Sequence, residues 1–298
     1  MDKRLLLLLT VVMLLLGSAC QPVTAPAAVQ AVSDATRPAP SDAGAGSDAL
    51  ALSPTVESVS STAGTTATPS PVKGGQVVVG AVGHVDGFNP LLAESEASRA
   101  LTPLLFDSLL TYDPDSGQLR PHLARAWTVA SDSRSITFIL RTDARWHDGR
   151  TVVADDVLFT LESARDPQLD SLYGARLGHV IGVSAPGNDT VVVSLDAPHC
   201  PTVAALGEVP IISGHLTDAG VITASLTETS EQVIGSGPFV LAARTPDGEA
   251  RLVANDGYWG GVPYLDALVY RPFEDTAGLQ QALREGEIDV AWMPAGTL

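Results

Sequence analysis

Apolar and polar positions follow two distinct periods along this chain. Ile136, Phe138 and Leu140 recur at every second position, with Thr137 and Arg141 among the residues between and after them, which predicts a half-buried strand over 136–141. Gln76–Val82, Val191–Pro198, Leu268–Phe273 and Ile288–Trp292 are further strands, rich in β-branched or aromatic residues and set off by turn residues. Val157, Leu158, Leu161 and Ala164 recur at helical spacing, and so do Leu101, Leu104 and Leu105. Thr276–Arg284 is an amphipathic helix between two strands, a β-α-β unit.

The stretch Trp146–Leu161 joins the two periods. His147-Asp148-Gly149 is a tight turn, in which Gly supplies a positive φ and Asp bonds its own backbone. Asp155 and Asp156 fall in the first turn of the next helix, where unpaired N–H groups favour negative charge. A catalytic or metal-binding pair at His147 and Asp148 is disfavoured: neighbours in a turn diverge, and no second base or ligand has a matching spacing. A strand–turn–helix corner is the preferred reading.

The N-terminus changes the picture. Lys3 and Arg4 precede a run from Leu5 to Leu16 that is apolar except for Thr10, and Gly17-Ser18-Ala19 then supplies small residues before Cys20. This is an export signal, too short to span a bilayer comfortably. Residues 21–72 hold no aromatic residue and are dominated by Ala, Ser, Thr, Pro, Gly and Val. They are expected to be a disordered tether, spanning about 40 Å for roughly fifty residues. Folded structure is expected from Lys73 onward.

Charge and cysteine count narrow the function. The net charge is −17, from 34 acidic and 17 basic residues, so a nucleic-acid partner is not expected. The acids are spread along the chain, as on a solvated surface, with attraction for cations a secondary consequence. Two cysteines exclude a disulfide-dense scaffold and a four-cysteine metal site. His199-Cys200 is read as a polar residue beside a buried thiol rather than a metal pair. No nucleophile-elbow, zinc-protease or glycine-rich phosphate motif is present, so neither catalysis nor a cofactor is expected.

Several short words carry a resemblance. Trp146-His147-Asp148-Gly149 with Val152, Ala154, Asp156-Val157 and Phe159 resembles a signature of the family 5 extracellular solute-binding proteins, the dipeptide, oligopeptide and nickel receptors of ABC importers. Lys73-Gly74-Gly75, Phe88-Asn89-Pro90-Leu91, Phe106-Asp107-Ser108-Leu109, Pro121-x-Leu123-Ala124-x-x-Trp127, Gly235-Ser236-Gly237-Pro238-Phe239, Asn255-x-x-Tyr258-Trp259-Gly260-Gly261 and Gly286-Glu287-Ile288-Asp289 are similar to other words of that family, in its order. Val153 departs from the usual Thr or Ser helix cap, at a cost of roughly 1 kcal/mol. Leu16-Gly17-Ser18-Ala19-Cys20 resembles a bacterial lipobox, which implies lipidation of Cys20; plain secretion is the alternative.

The resemblance implies an α/β fold of the class II periplasmic-binding-protein type, incomplete in this chain. Residues 1–20 would be the lipoprotein signal and 73–298 the solute-binding domain. Lobe I would take about 73–110 and 200–298, an inserted subdomain about 111–199, and the second ligand-binding lobe would be missing. The implied function is delivery of a peptide or similar small solute to an ABC permease by a monomeric, lipid-anchored receptor on the extracytoplasmic face. A surface sensor, interaction module or decayed fragment is the alternative. A metal-dependent hydrolase is the least expected reading. By the resemblance, Glu94, Ser95, Glu96, Ser236 and Gly237 face the cleft, with Trp292 at the crossover to the second lobe.

Overall fold

Gln76–Val82 forms strand β1, with parallel neighbours on both sides: β10 (Ala267–Phe273) and β11 (Val290–Trp292). Two antiparallel strands, β9 (Ala250–Ala254) and β8 (Phe239–Arg244), extend this sheet in the order β11-β1-β10-β9-β8. The computed structural model describes residues 72–93, 95–215 and 233–293. The signal, Cys20, nearly all of the expected tether and Glu94 lie outside them.

Helices flank β1 on opposite faces. From β1 the chain passes through a loop into α1 (Glu96–Leu105), whose Ala97, Leu101 and Leu105 join the main buried cluster. From β10 it passes through α4 (Thr276–Glu285) before β11, and Leu279 and Ala282 cover the other face with Ile288. Asp275 caps α4 by accepting the Gly278 N–H, at 2.8 Å. Parallel strands with helices on both faces leave a crevice at the strands' carboxyl ends, where the two connections part.

A second, antiparallel sheet has the order β4-β5-β7-β6, from β4 (Ala124–Val129), β5 (Ser135–Leu140), β6 (Val180–Gly187) and β7 (Thr190–Leu195). Helix α2 (Ala154–Arg165) packs on it, a short pair β2 (Leu110–Tyr112) and β3 (Leu119–Pro121) lies between the sheets in sequence, and α3 spans Pro201–Gly207. One continuous buried cluster runs from Ala81 through Phe138 and Leu161 to Tyr270, so both sheets share a core.

The expected strands and helices form, with local differences. On α2 the buried stripe is Val157, Thr160, Leu161 and Ala164, while Leu158 is half-exposed. Thr160 is tolerated there because its hydroxyl donates to the Asp156 carbonyl and accepts from the Ile212 N–H, at 2.7 and 3.1 Å. Cys200 is exposed just ahead of α3, not buried. Strands β6, β8 and β9 have no strong sequence signal. Glycine, proline or alanine interrupts their alternation, and β6 and β8 carry register shifts where they pair.

Candidate functional site

The crevice at the carboxyl end of β1 holds a shallow recess of about 220 Å³, open to solvent and lined by Ala81, Val82, Glu96, Ala97 and Trp292. Each residue arrives for a local reason. Ala81 pairs in register with Trp292 across the parallel β1–β11 ladder, so both point to the face that α1 covers. Glu96 and Ala97 are the first residues of α1. Ser95 is its N-cap: its hydroxyl accepts the Ser98 N–H at 3.0 Å and donates to Asp86 at 3.0 Å, while Asp86 also accepts the Ser95 N–H at 2.8 Å. Asp86, in the loop after β1, therefore fixes the start of α1 over the strand ends.

Of the residues expected in the cleft, Glu96 and Trp292 meet at this recess. Ser95 stands beside them, but its hydroxyl is committed to the cap. Glu94 lies outside the described residues. Ser236 and Gly237 are a correction: they sit at the far end of α1, closed to solvent. Ser236 is 0% exposed and its Oγ accepts the Asp107 N–H at 3.2 Å. The Gly237 N–H donates to the Leu105 carbonyl at 2.9 Å. A Cβ on Gly235 would lie 1.7 Å from the Leu105 carbonyl oxygen, so glycine serves close backbone approach here, not a ligand.

The same segment is where the sequence words converge. His147 Nδ1 accepts the Gly235 N–H and its Nε2–H donates to the Gly237 carbonyl, each at 3.1 Å; Asn255 Nδ2 donates to that carbonyl at 3.0 Å. Burial, the largest cause, pushes the His147 pKa below its ordinary range, so the ring is held neutral. His147 is therefore a staple across the corner. Asp148 faces elsewhere, its carboxylate 2.8 Å from His215 Nε2, and the two side chains form no joint site.

Two buried acids were not foreseen as hubs. Asp107, 1% exposed, accepts from Tyr258 Oη and Trp259 Nε1 at 3.0 Å each, with His122 Nε2 3.6 Å away. Desolvation raises its pKa, and the nearby His122 opposes the rise. Tyr258 is in turn pushed up by burial and by the Asp107 charge. Asp156 accepts from Trp146 Nε1 and Val153 N–H at 3.0 Å and from Gly214 N–H at 2.9 Å. An acid inside an apolar run, as in Phe106-Asp107-Ser108-Leu109-Leu110, was the available signal for the first. Among the described residues no group of three His, Cys, Asp or Glu is placed to hold a metal.

The recess presents one carboxylate, one indole and the first turn of α1 to solvent. The family model for bacterial extracellular solute-binding proteins, family 5 (middle region), matches residues 118–298. The chain belongs to this family. A putative ABC transporter peptide-binding protein of Brucella ovis is 33% identical over 218 residues, covering 72% of this chain and 41% of the relative. The dipeptide-binding protein of Escherichia coli K12 is 28% identical over 232 residues, covering 71% and 43%. Among solved structures, the oligopeptide-binding protein AppA from Bacillus subtilis in complex with a nonapeptide matches with a TM-score of 0.68 at 26% identity, covering 73% of this chain and 44% of that one. The periplasmic binding protein DppA from Helicobacter pylori, in complex with the peptide STSA, matches at 0.65 and 27%, covering 73% and 46%. The chain therefore has the periplasmic-binding-protein α/β fold and spans less than half the length of these family 5 relatives.

Proposed function

We propose that this chain is an extracytoplasmic solute receptor of an ABC importer, capturing peptides or similar small solutes for the permease, and that Cys20 is its lipid anchor. The observation that carries the reading is the meeting of Glu96 and Trp292 over the carboxyl ends of β1 and β11. Open α/β sheets bind ligands at that place, because the diverging connections leave a crevice there. The names of the family relatives supply the solute class. No bond is made or broken in this role: affinity comes from burying the solute against protein surface.

The recess contributes one face only and is shallow and open to solvent, whereas pockets that enclose a ligand bury most of its surface. A dissociation constant on the order of 0.1–10 mM is therefore expected for short peptides on this chain. Trp292 gives the readout, being half-exposed where Trp127 and Trp146 are buried. In ¹⁵N-labelled full-length protein, di- to pentapeptides should shift the Trp292 indole resonance, assigned by its loss in Trp292→Phe. They should leave those of Trp127 and Trp146 in place. No Trp292 shift with any peptide up to about 10 mM would overturn the reading.

A further inference from the structure

We propose that the recess selects a positively charged group of the solute, an ammonium or a guanidinium, held between the Glu96 carboxylate and the Trp292 indole. This rests on the solute-receptor reading and names the chemistry that its site prefers. Five residues line the recess, and they include one carboxylate, one indole and no basic side chain. Glu96 is exposed and takes part in none of the ion pairs among the described residues. Trp292 is 39% exposed at the end of an edge strand, although an indole ordinarily buries its ring.

The chain holds an occupied counterpart of this pairing. At the Asp107 hub a carboxylate lies 3.0 Å from the Trp259 indole nitrogen, and the Arg141 guanidinium sits 4.2 Å from the centre of the same ring. There acid, indole and cation are all supplied internally. At the recess the acid and the indole are present, and the third place faces solvent. A cation over an indole is attracted by the negative face of the ring, and the neighbouring carboxylate adds a direct charge interaction. An anionic solute group meets the opposite situation. The amino end of α1 would attract it, but Glu96 already occupies that first turn and repels it. The net charge of −17 adds attraction for cations over the whole surface.

Matched peptides on the full-length protein test the selectivity by the same Trp292 resonance. Acetyl-Ala-Arg-Ala-amide is compared with its citrulline isostere, and trialanine amide with its N-acetyl form. The charged member of each pair should bind about tenfold more tightly at low salt, and the advantage should shrink in 0.5 M NaCl. Glu96→Gln, which keeps the shape, should abolish the advantage, and Trp292→Leu, read by the remaining backbone resonances, should reduce it. Asp132→Asn, in the β4–β5 turn, removes one charge from another surface and should leave the advantage intact. Equal binding of charged and neutral members, with Trp292 still shifting, would overturn the cation preference and leave the receptor reading standing. Equal loss in Glu96→Gln and Asp132→Asn would also overturn it, because the attraction would then belong to the whole surface. Absence of any shift at Trp292 would overturn both.

Discussion

Single polar side chains hold this fold at its joints. Asp156 collects three N–H groups, from Trp146, Val153 and Gly214, and by accepting the Val153 N–H it ties the third helical residue of α2 back to an N-cap that has no side-chain acceptor. Asp156→Asn exchanges one accepting oxygen for an amide that faces donors, so one N–H group loses its acceptor if the amide takes the Oδ1 place and two if it takes the Oδ2 place. The expected loss is about 2–4 kcal/mol of unfolding free energy, measured by denaturant titration. A loss under about 0.5 kcal/mol would mean that water or a rearranged loop meets these donors. His147 acts through its charge state. Its folded pKa lies below the ordinary 6.5 because the ring is buried, with the Gly237 bond and Asp148 opposing that shift. Between the folded value and 6.5 the unfolded chain binds a proton that the folded chain does not, so stability falls as pH falls below 6.5. Asp107 has the opposite sign: its raised pKa makes the folded state retain a proton above 3.8, so its contribution falls as pH rises through that window. Comparing wild type with His147→Gln cancels Asp107 and the other histidines. Wild type should lose more stability than the variant between pH 7.5 and 5.5, and parallel profiles would disprove the buried neutral state.

At the scale of elements, the segment from Gly235 to Pro238 decides how α1 meets the corner. Its carbonyls and N–H groups bond to His147, Asn255 and the last turn of α1, which leaves no room for a side chain at Gly235. Gly235→Ala places a methyl group against a backbone oxygen that cannot rotate away. The expected cost is about 3 kcal/mol or more, seen as a fall of roughly 6–12 °C in Tm. An unchanged Tm would show that this segment does not pack as described. The turn at Gly149 is the contrasting case. Its φ of 87° and the bond from Arg150 N–H to Asp148 Oδ1, at 3.0 Å, are local features. Sequence alone anticipates them, because each is decided within three residues.

On the scale of the whole molecule, the proposed receptor would be held at the extracytoplasmic face of the cell membrane, and Cys20 is the residue proposed for that task. Fatty-acid labelling of cells expressing wild type or Cys20→Ser should mark the wild type alone. Equal labelling, or a Cys20–Cys200 disulfide found by non-reducing peptide mapping, would remove the anchor, since a thiol in a disulfide cannot be acylated. Several acyl chains would be needed for firm attachment, because one gives only marginal binding. Among the described residues no helix is long and apolar enough to cross a membrane.

Sequence by itself determined the elements whose signals are local. The alternation at Ile136, Phe138 and Leu140 became β5, the β-branched run at Gln76–Val82 became β1, and the amphipathic stretch Thr276–Arg284 became α4. Each rests on backbone preferences and side-chain spacing over a few residues, so neighbours in the chain suffice to read it. The family words also identified the fold, because their order reflects one topology. Only the tertiary structure decided what those words do. Asp107 finds Tyr258 and Trp259 about 150 residues away, His147 finds Gly235 and Gly237, and Glu96 finds Trp292 because β11 lies in register beside β1. It also moved Ser236 and Gly237 from the cleft into the core, where the Ser236 hydroxyl accepts the Asp107 N–H and the Leu104 and Leu105 carbonyls leave no room for a side chain at Gly237. Such pairings depend on which strands are neighbours and in what register. That is set by the burial of the whole apolar surface at once and is not encoded in any short stretch of the chain.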